Sequence, residues 1–362
     1  MYLKRFLLLL FGFLTLHLSP LPSSVKPLLE FQLSPEHPLH IPYMADPFNT
    51  DFALNVLFLE SEESRPAYLY KVQGEGEALI YEGYDIDQYY CKGTTLIQMR
   101  TGTVIPVGRL TFNGGGFFPS LSVEGVFKGG FRSIFFAYSG TDLLGLDGTY
   151  FYGLNAKLGE FLTFSYGRKH HSAHVGDEIL LRVEDNVAHE GSLFDNALID
   201  YVRQDPITYA ISLNPLPHLR LYGELRVGDT GRILKPRLAT ESALEDGYRG
   251  RELQIGVEVS TPVKLLGDFT LALDLVLHES GKFIPLGSGE EKNGEYQRYM
   301  FVYDEAAPWE YEFNILLSQS LTPGDHGMQA RLQVVYHKGR FPLFAFHMSK
   351  GSYIAVGASF SY

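Results

Sequence analysis

The sequence predicts a transmembrane antiparallel β-barrel of the outer-membrane type, all-β, with about twelve strands and a range of ten to sixteen. Three observations carry this expectation. Segments of about ten residues alternate apolar and polar side chains with a period of two, and ten residues is roughly the length a tilted membrane strand needs. Short turn-rich links alternate with long polar ones, as they do along an outer-membrane barrel. Charged residues make up only 20% of the 362-residue chain while aromatics reach 14%, with 23 Tyr and 26 Phe. That balance suits a barrel with interfacial aromatic girdles better than a water-soluble enzyme.

The first element is a leader. Lys4 and Arg5 precede the apolar run Phe6 to Leu18, and Ser19 to Ser24 supply a small-residue and proline exit. The run is short for a bilayer-spanning helix and suits a secretory signal peptide over residues 1–24. Residues 25–102 then read as a β-rich segment that supplies either extra barrel strands or a periplasmic or plug part. The barrel proper is expected over 103–362.

The strands show most clearly toward the C-terminus. In "SYIAVGASFSY", Ile354, Val356, Ala358, Phe360 and Tyr362 fall on one face and Tyr353, Ala355, Gly357, Ser359 and Ser361 on the other. "LRLYGELRV", "RELQIGVEVS", "DFTLALDLVLH", "WEYEFNILL" and "MQARLQVVYH" repeat the division. A closed barrel satisfies every backbone group without water, so it is the β solution that lipid permits. Counting back from Tyr362 gives nine strands to Thr149, and 131–140, 117–127 and 103–113 complete twelve. The links at 157–161, 214–218, 263–268 and 322–327 are short, which places them in the periplasm. Those at 174–204, 231–250, 281–308 and 339–352 are long and face outside. The terminal Phe360 and Tyr362 resemble the signal read by the outer-membrane barrel assembly machinery. That machinery and outer-membrane lipids are the expected partners, and the bacterial outer membrane the expected location.

The polar faces are rich in opposite charges: Arg220, Glu224, Arg226, Glu252, Glu258, Asp274, Glu310, Glu312 and Arg331. In a narrow barrel such groups pair across the lumen and close it, because an unpaired charge in a low-dielectric space is costly. A closed, salt-bridged lumen is therefore expected, with an open solute channel as the alternative. The net charge of −12 gives no positive footprint for nucleic acid. Cys91 is the only cysteine, so no internal disulfide forms. Nothing in the sequence calls for a cofactor.

One stretch carries chemistry: "YGRKHHSAHVGDE", Tyr166 to Glu178. The lipid-face parity of Leu162, Phe164 and Tyr166 runs on through His170, Ser172 and His174 near the outer interface. His170 and Ser172 share a face there, as a hydroxyl nucleophile and its base must. The pair resembles the His-x-Ser-Asn pattern of outer-membrane phospholipases and lipid A deacylases, with Ala173 in place of the asparagine. No acid is fixed as the third member, and Asp177, Glu184 and Asp147 are candidates for it by proximity alone. His170, His174, Asp177 and Glu178 also have spacing compatible with a metal. A structural rim of hydrogen-bonded side chains is the expected reading, and the expected role is an envelope component of unassigned activity, structural or small-molecule-handling, with a lipid hydrolase using Ser172 and His170 as the alternative. The segment "HHSAHVGDE" is further similar to the His-x-Ser-Ser-His-Leu-Gly-Asp-Glu motif of the domain-of-unknown-function 1207 proteins. The likeness extends to "IPYMADPF", "LLGLDGTYFYGL" and the C-terminal "YHKGRFPLFAFHMSKGSYIAVGASFSY". Ala173 and Val175 depart from that motif. The resemblance implies an outer-membrane setting and no particular activity.

Overall fold

The computed structural model describes residues 28–361 with the exception of 47–48, 50, 62–66, 73–79, 86–93, 115–117, 138–141, 177–200, 229–231, 235–250, 264–266, 280, 292–293, 304–305, 307–308, 322–328 and 344–349. The expected signal segment 1–24 therefore lies outside the described residues. In chain order the strands are β1 (Leu29–Leu33), β2 (Phe52–Leu59), β3 (Ala67–Val72), β4 (Ile80–Asp85), β5 (Thr95–Phe112), β6 (Leu121–Phe136), β7 (Leu143–Leu158), β8 (Leu162–Val175), β9 (Tyr201–Gln204), β10 (Ile207–Leu216), β11 (Leu219–Val227), β12 (Arg232–Leu234), β13 (Arg251–Val263), β14 (Gly267–Glu279), β15 (Gly281–Glu291), β16 (Gly294–Tyr303), β17 (Trp309–Ser320), β18 (Gln329–Arg340) and β19 (Lys350–Ser361).

Twelve of these close an antiparallel barrel in the order β2, β5, β6, β7, β8, β10, β11, β13, β14, β17, β18, β19. The last pair joins Ile354 of β19 to Phe58 of β2, so no edge is left at the seam. Tracing partners once around the wall returns to β2 displaced along the strand, the stagger that tilted strands impose. β3–β4 and β15–β16 are separate hairpins within the long links. The four links expected to be short gather at one end of the barrel, the turn end, and the four expected to be long at the other, the loop end, where the link from β6 to β7 is also short.

Alternation decides which side chain faces where. Along β2 exposure and burial strictly alternate, with Leu54, Val56 and Phe58 outside and Asn55 and Leu57 inside. Phe164, Tyr166, Tyr209, Ile255, Leu271, Leu317, Val334 and Val356 lie on the same exposed outer surface. A one-residue slip of any strand would exchange its apolar and polar faces, which fixes the register.

Three of the twelve strands differ from the expectation. The stretches 117–127 and 131–140 are one strand, β6, that runs unbroken through Gly129 and Gly130. Those glycines read as a break, yet a Cβ at Gly130 would stand 3.0 Å from the Thr101 carbonyl of β5, so a bare backbone lets the two strands run together. The segment 103–113 is the lower half of β5, which begins at Thr95. Position 103, the expected start of the barrel, thus falls inside a strand. The twelfth strand is β2, within the segment expected as extra strands or plug.

That segment supplies both. β6 occupies one edge of β5 over its whole length. On the other edge β1 pairs Leu29 with Phe112 and Leu33 with Gly108, while β2 pairs Ala53 with Arg100 farther up. β1 and β2 are thus two parts of one interrupted strand. Between them Ser34 adopts a left-handed φ of 46°, its N–H on the Val107 carbonyl, and the chain turns into the lumen.

Candidate functional site

The described residues from His37 to Asp46 form a plug inside the barrel, held largely through its main chain. Glu124 of β6, 1% exposed, accepts the Leu39 N–H at 2.6 Å, the Asn155 amide at 2.9 Å and the Arg109 guanidinium at 2.7 Å. Arg109 also donates to the His37 carbonyl. Arg220 of β11 donates to the Pro42 carbonyl at 3.2 Å, the Ile41 carbonyl at 2.6 Å and Glu258 at 3.2 Å. Glu258 in turn accepts the Met44 N–H at 2.7 Å. The plug carries few side-chain charges of its own, so wall charges meet its peptide groups.

Two plug side chains add specific contacts. The Tyr43 ring stacks on Tyr222, centroids 3.9 Å apart and 6° from parallel, with the Arg220 guanidinium 5.0 Å from the Tyr43 centroid. Tyr222 lies across β13, where a Cβ at Gly256 would fall 2.2 Å from its ring, and its hydroxyl donates to Asp274 at 2.6 Å. His40 accepts from the Lys128 ammonium at Nδ1, 3.3 Å away, and lies 3.4 Å from the Tyr43 hydroxyl at Nε2. Burial, with the positive charges of Lys128 and Arg220 behind it, holds His40 well below the ordinary histidine range. Ala45 packs on Ala272 and Leu316.

Beyond the plug the wall pairs its own charges. Arg226 meets Glu224 at 2.5 Å, Glu252, and Asp46 of the plug at 3.6 Å. His278 stands between Glu252 at 3.3 Å and Glu312 at 3.2 Å, and Arg340 and Lys350 hold Glu310. Arg331 reaches Gln329 on its own strand. The expected inward charges therefore do form a pairing network, though plug carbonyls are among its acceptors. A cavity of about 60 Å³ remains beside the plug, lined by His40, Tyr43, Lys128, Lys169, Glu224 and Arg226 among others. It has room for water or a very small solute.

The second cluster lies on the outer surface at the loop end. β8 carries His170, Ser172 and His174 outward, as the parity predicts, and turns His171 and Ala173 inward. His171 lies 3.5 Å from Asp147, which meets Arg132 at 2.5 Å, so Asp147 serves the lumen. β9 and β10 continue one register along β8, with Ser172 opposite Arg203 and Arg168 opposite Ile207. That register sets Asp205 directly across from His170, and its carboxylate meets Nδ1 at 2.7 Å. On the other side Tyr150 stacks on His170, centroids 4.4 Å apart, and Phe127 lies 6.5 Å beyond Tyr150. Ser172 faces Gly148, and its hydroxyl donates to the Gly148 carbonyl at 3.5 Å.

Asp177, Glu178 and Glu184 lie outside the described residues. Among the described residues no three His, Cys, Asp or Glu side chains gather as metal ligands. The acid that orients His170 is thus Asp205, which sequence reasoning missed. Its one signal was the alternation of Tyr209 and Ile211, which carries the outward parity back across Asp-Pro to position 205.

No family model matches the chain. No curated protein sequence matches it either. Solved barrels do align with it over most of their length. The β domain of a Bordetella autotransporter, BrkA, covers 86% of this chain and 100% of its own at 9% identity and a TM-score of 0.34. An anion-selective porin from Comamonas acidovorans covers 85% and 98% at 11% identity and 0.29. The Pseudomonas putida toluene transporter TodX covers 86% and 88% at 8% identity and 0.31. At such scores the fold rests on this chain's own strand pairing.

Proposed function

We propose that the protein is a bacterial outer-membrane barrel that forms a gated passage for small polar solutes, with the plug from His37 to Asp46 as the gate. The observation that carries this reading is how the plug is held. A purely structural core would be expected to fill the lumen with apolar side chains. Here Arg109, Arg220, Glu124 and Glu258 instead grip peptide groups, contacts that water can replace when the segment withdraws. The polar lining left behind would suit a hydrated path. The exposed belt of Phe164, Tyr166, Leu271 and Val356 supports a lipid setting. With its outer end at the long links, the barrel would release its C-terminal strand toward the periplasm and the assembly machinery. The likeness to the domain-of-unknown-function 1207 proteins supports an outer-membrane setting.

Purified full-length protein in planar bilayers tests the gate. Wild type should be closed with rare openings, and replacing residues 36–46 by Gly and Ser of equal length should give steady conductance. A wild type that conducts freely, or a replacement that stays silent with unchanged heat-dependent gel mobility, refutes the reading.

A further inference from the structure

We infer that Ser172, His170 and Asp205 form a hydrolytic site on the outward face of the barrel that cleaves fatty acyl esters of membrane lipids. The inference rests on the membrane setting proposed above and is independent of the gate.

Register supplies the geometry. Asp205 and His170 are directly opposed on neighbouring strands, and the 2.7 Å contact at Nδ1 fixes the ring and leaves Nε2 as the basic nitrogen. Ser172 stands two residues along β8 on the same outward face as His170. Its present bond to the Gly148 carbonyl, at 3.5 Å, is at the limit of a hydrogen bond, so rotation of the serine about χ1 gives up little. Gly148 opens the space: a Cβ there would lie 3.4 Å from the Ser172 hydroxyl and 3.4 Å from the Phe131 ring. Phe131, 60% exposed, and the stacked Phe127, Tyr150 and His170 form an aromatic surface beside the notch, against which an acyl chain can lie.

The chemistry closes without a cofactor. The Ser172 hydroxyl attacks the ester carbonyl as its proton passes to His170 Nε2. Collapse of the tetrahedral adduct breaks the ester C–O bond, and His170 returns that proton to the leaving alkoxide. Water then attacks the acyl-serine, giving its proton to His170, which restores it to Ser172 as the fatty acid leaves. Asp205 is a positioning residue that holds the imidazole and steadies its cationic form.

The test uses full-length protein in detergent, presented with a fluorophosphonate probe, with phosphatidylethanolamine vesicles and with lipopolysaccharide. Wild type should take up the probe at Ser172 and release fatty acid from one of the two lipids, which identifies the source of the ester. Ser172→Ala should abolish labelling and release. His170→Ala should cut turnover by about 10²- to 10⁴-fold. Asp205→Asn should lower kcat with little change in KM, and Asp205→Glu should restore part of the loss. Each variant should keep wild-type heat-dependent gel mobility. A folded wild type that neither labels nor releases fatty acid, or labelling that survives Ser172→Ala, overturns the inference. Failure here leaves bilayer conductance unaffected, so the two readings fail separately.

Discussion

Arg220→Met is the most direct perturbation of the gate. Methionine keeps the aliphatic stem and removes the guanidinium, which holds two plug carbonyls, Ser212 and Glu258. A hydrogen bond from a charged donor contributes about 1.5–3 kcal/mol net. The Ile41 contact is exposed and deserves a discount, whereas the Pro42 contact is half-buried. The loss from the closed state is then about 2–4 kcal/mol, which raises the ratio of open to closed barrels roughly 30- to 700-fold. Glu258 keeps its bond from the Met44 N–H but loses its counter-charge. Glu258→Gln in the Arg220→Met background therefore separates the direct loss from the stranded carboxylate. Single-channel recording at fixed voltage reads the ratio as open probability. An Arg220→Met barrel with wild-type gel mobility and wild-type open probability would refute the assignment of these contacts to the closed state.

Three further outcomes follow. Glu124→Leu removes the shared acceptor of Leu39, Asn155 and Arg109 and should cost about 3–5 kcal/mol in denaturant unfolding. Glu160→Leu, whose partner Lys157 sits at the turn end with a 90% exposed carboxylate opposite, should be nearly silent. His40 is held neutral in the closed barrel, so below about pH 6.5 the withdrawn plug binds a proton that the inserted plug does not. Open probability should rise by up to about tenfold per pH unit as pH falls below that value, and His40→Gln should flatten the rise.

The barrel was legible where both faces have clear consequences. From Thr149 onward, lipid on one side and paired charge on the other leave a period-two record in every strand, and the nine strands there match. β6 was misdivided because Gly129-Gly130 punctuates a sequence as a turn does, while in the wall they serve close approach to Thr101. The plug leaves no periodic trace. "HPLHIPYMAD" is held through peptide groups, and the residues that hold it, such as Arg220 and Glu258, look from sequence like partners of each other alone. On the rim, His170 and Ser172 could be paired by parity. Asp205 could not, since Asp-Pro reads as a loop and only the register with β8 brings the carboxylate across.

The interruption between β1 and β2 has a kinetic consequence. Both ends of the plug are stitched to one edge of β5, at Leu33 opposite Gly108 and at Ala53 opposite Arg100. Withdrawal therefore never releases a free end, and return is an intramolecular encounter over a short tether, with an effective concentration on the order of millimolar. Added peptide copying residues 35–46 would have to exceed that concentration to compete. Closing is then set by the tether and hardly by any competing peptide dissolved on either side of the membrane, so openings should be brief and self-terminating.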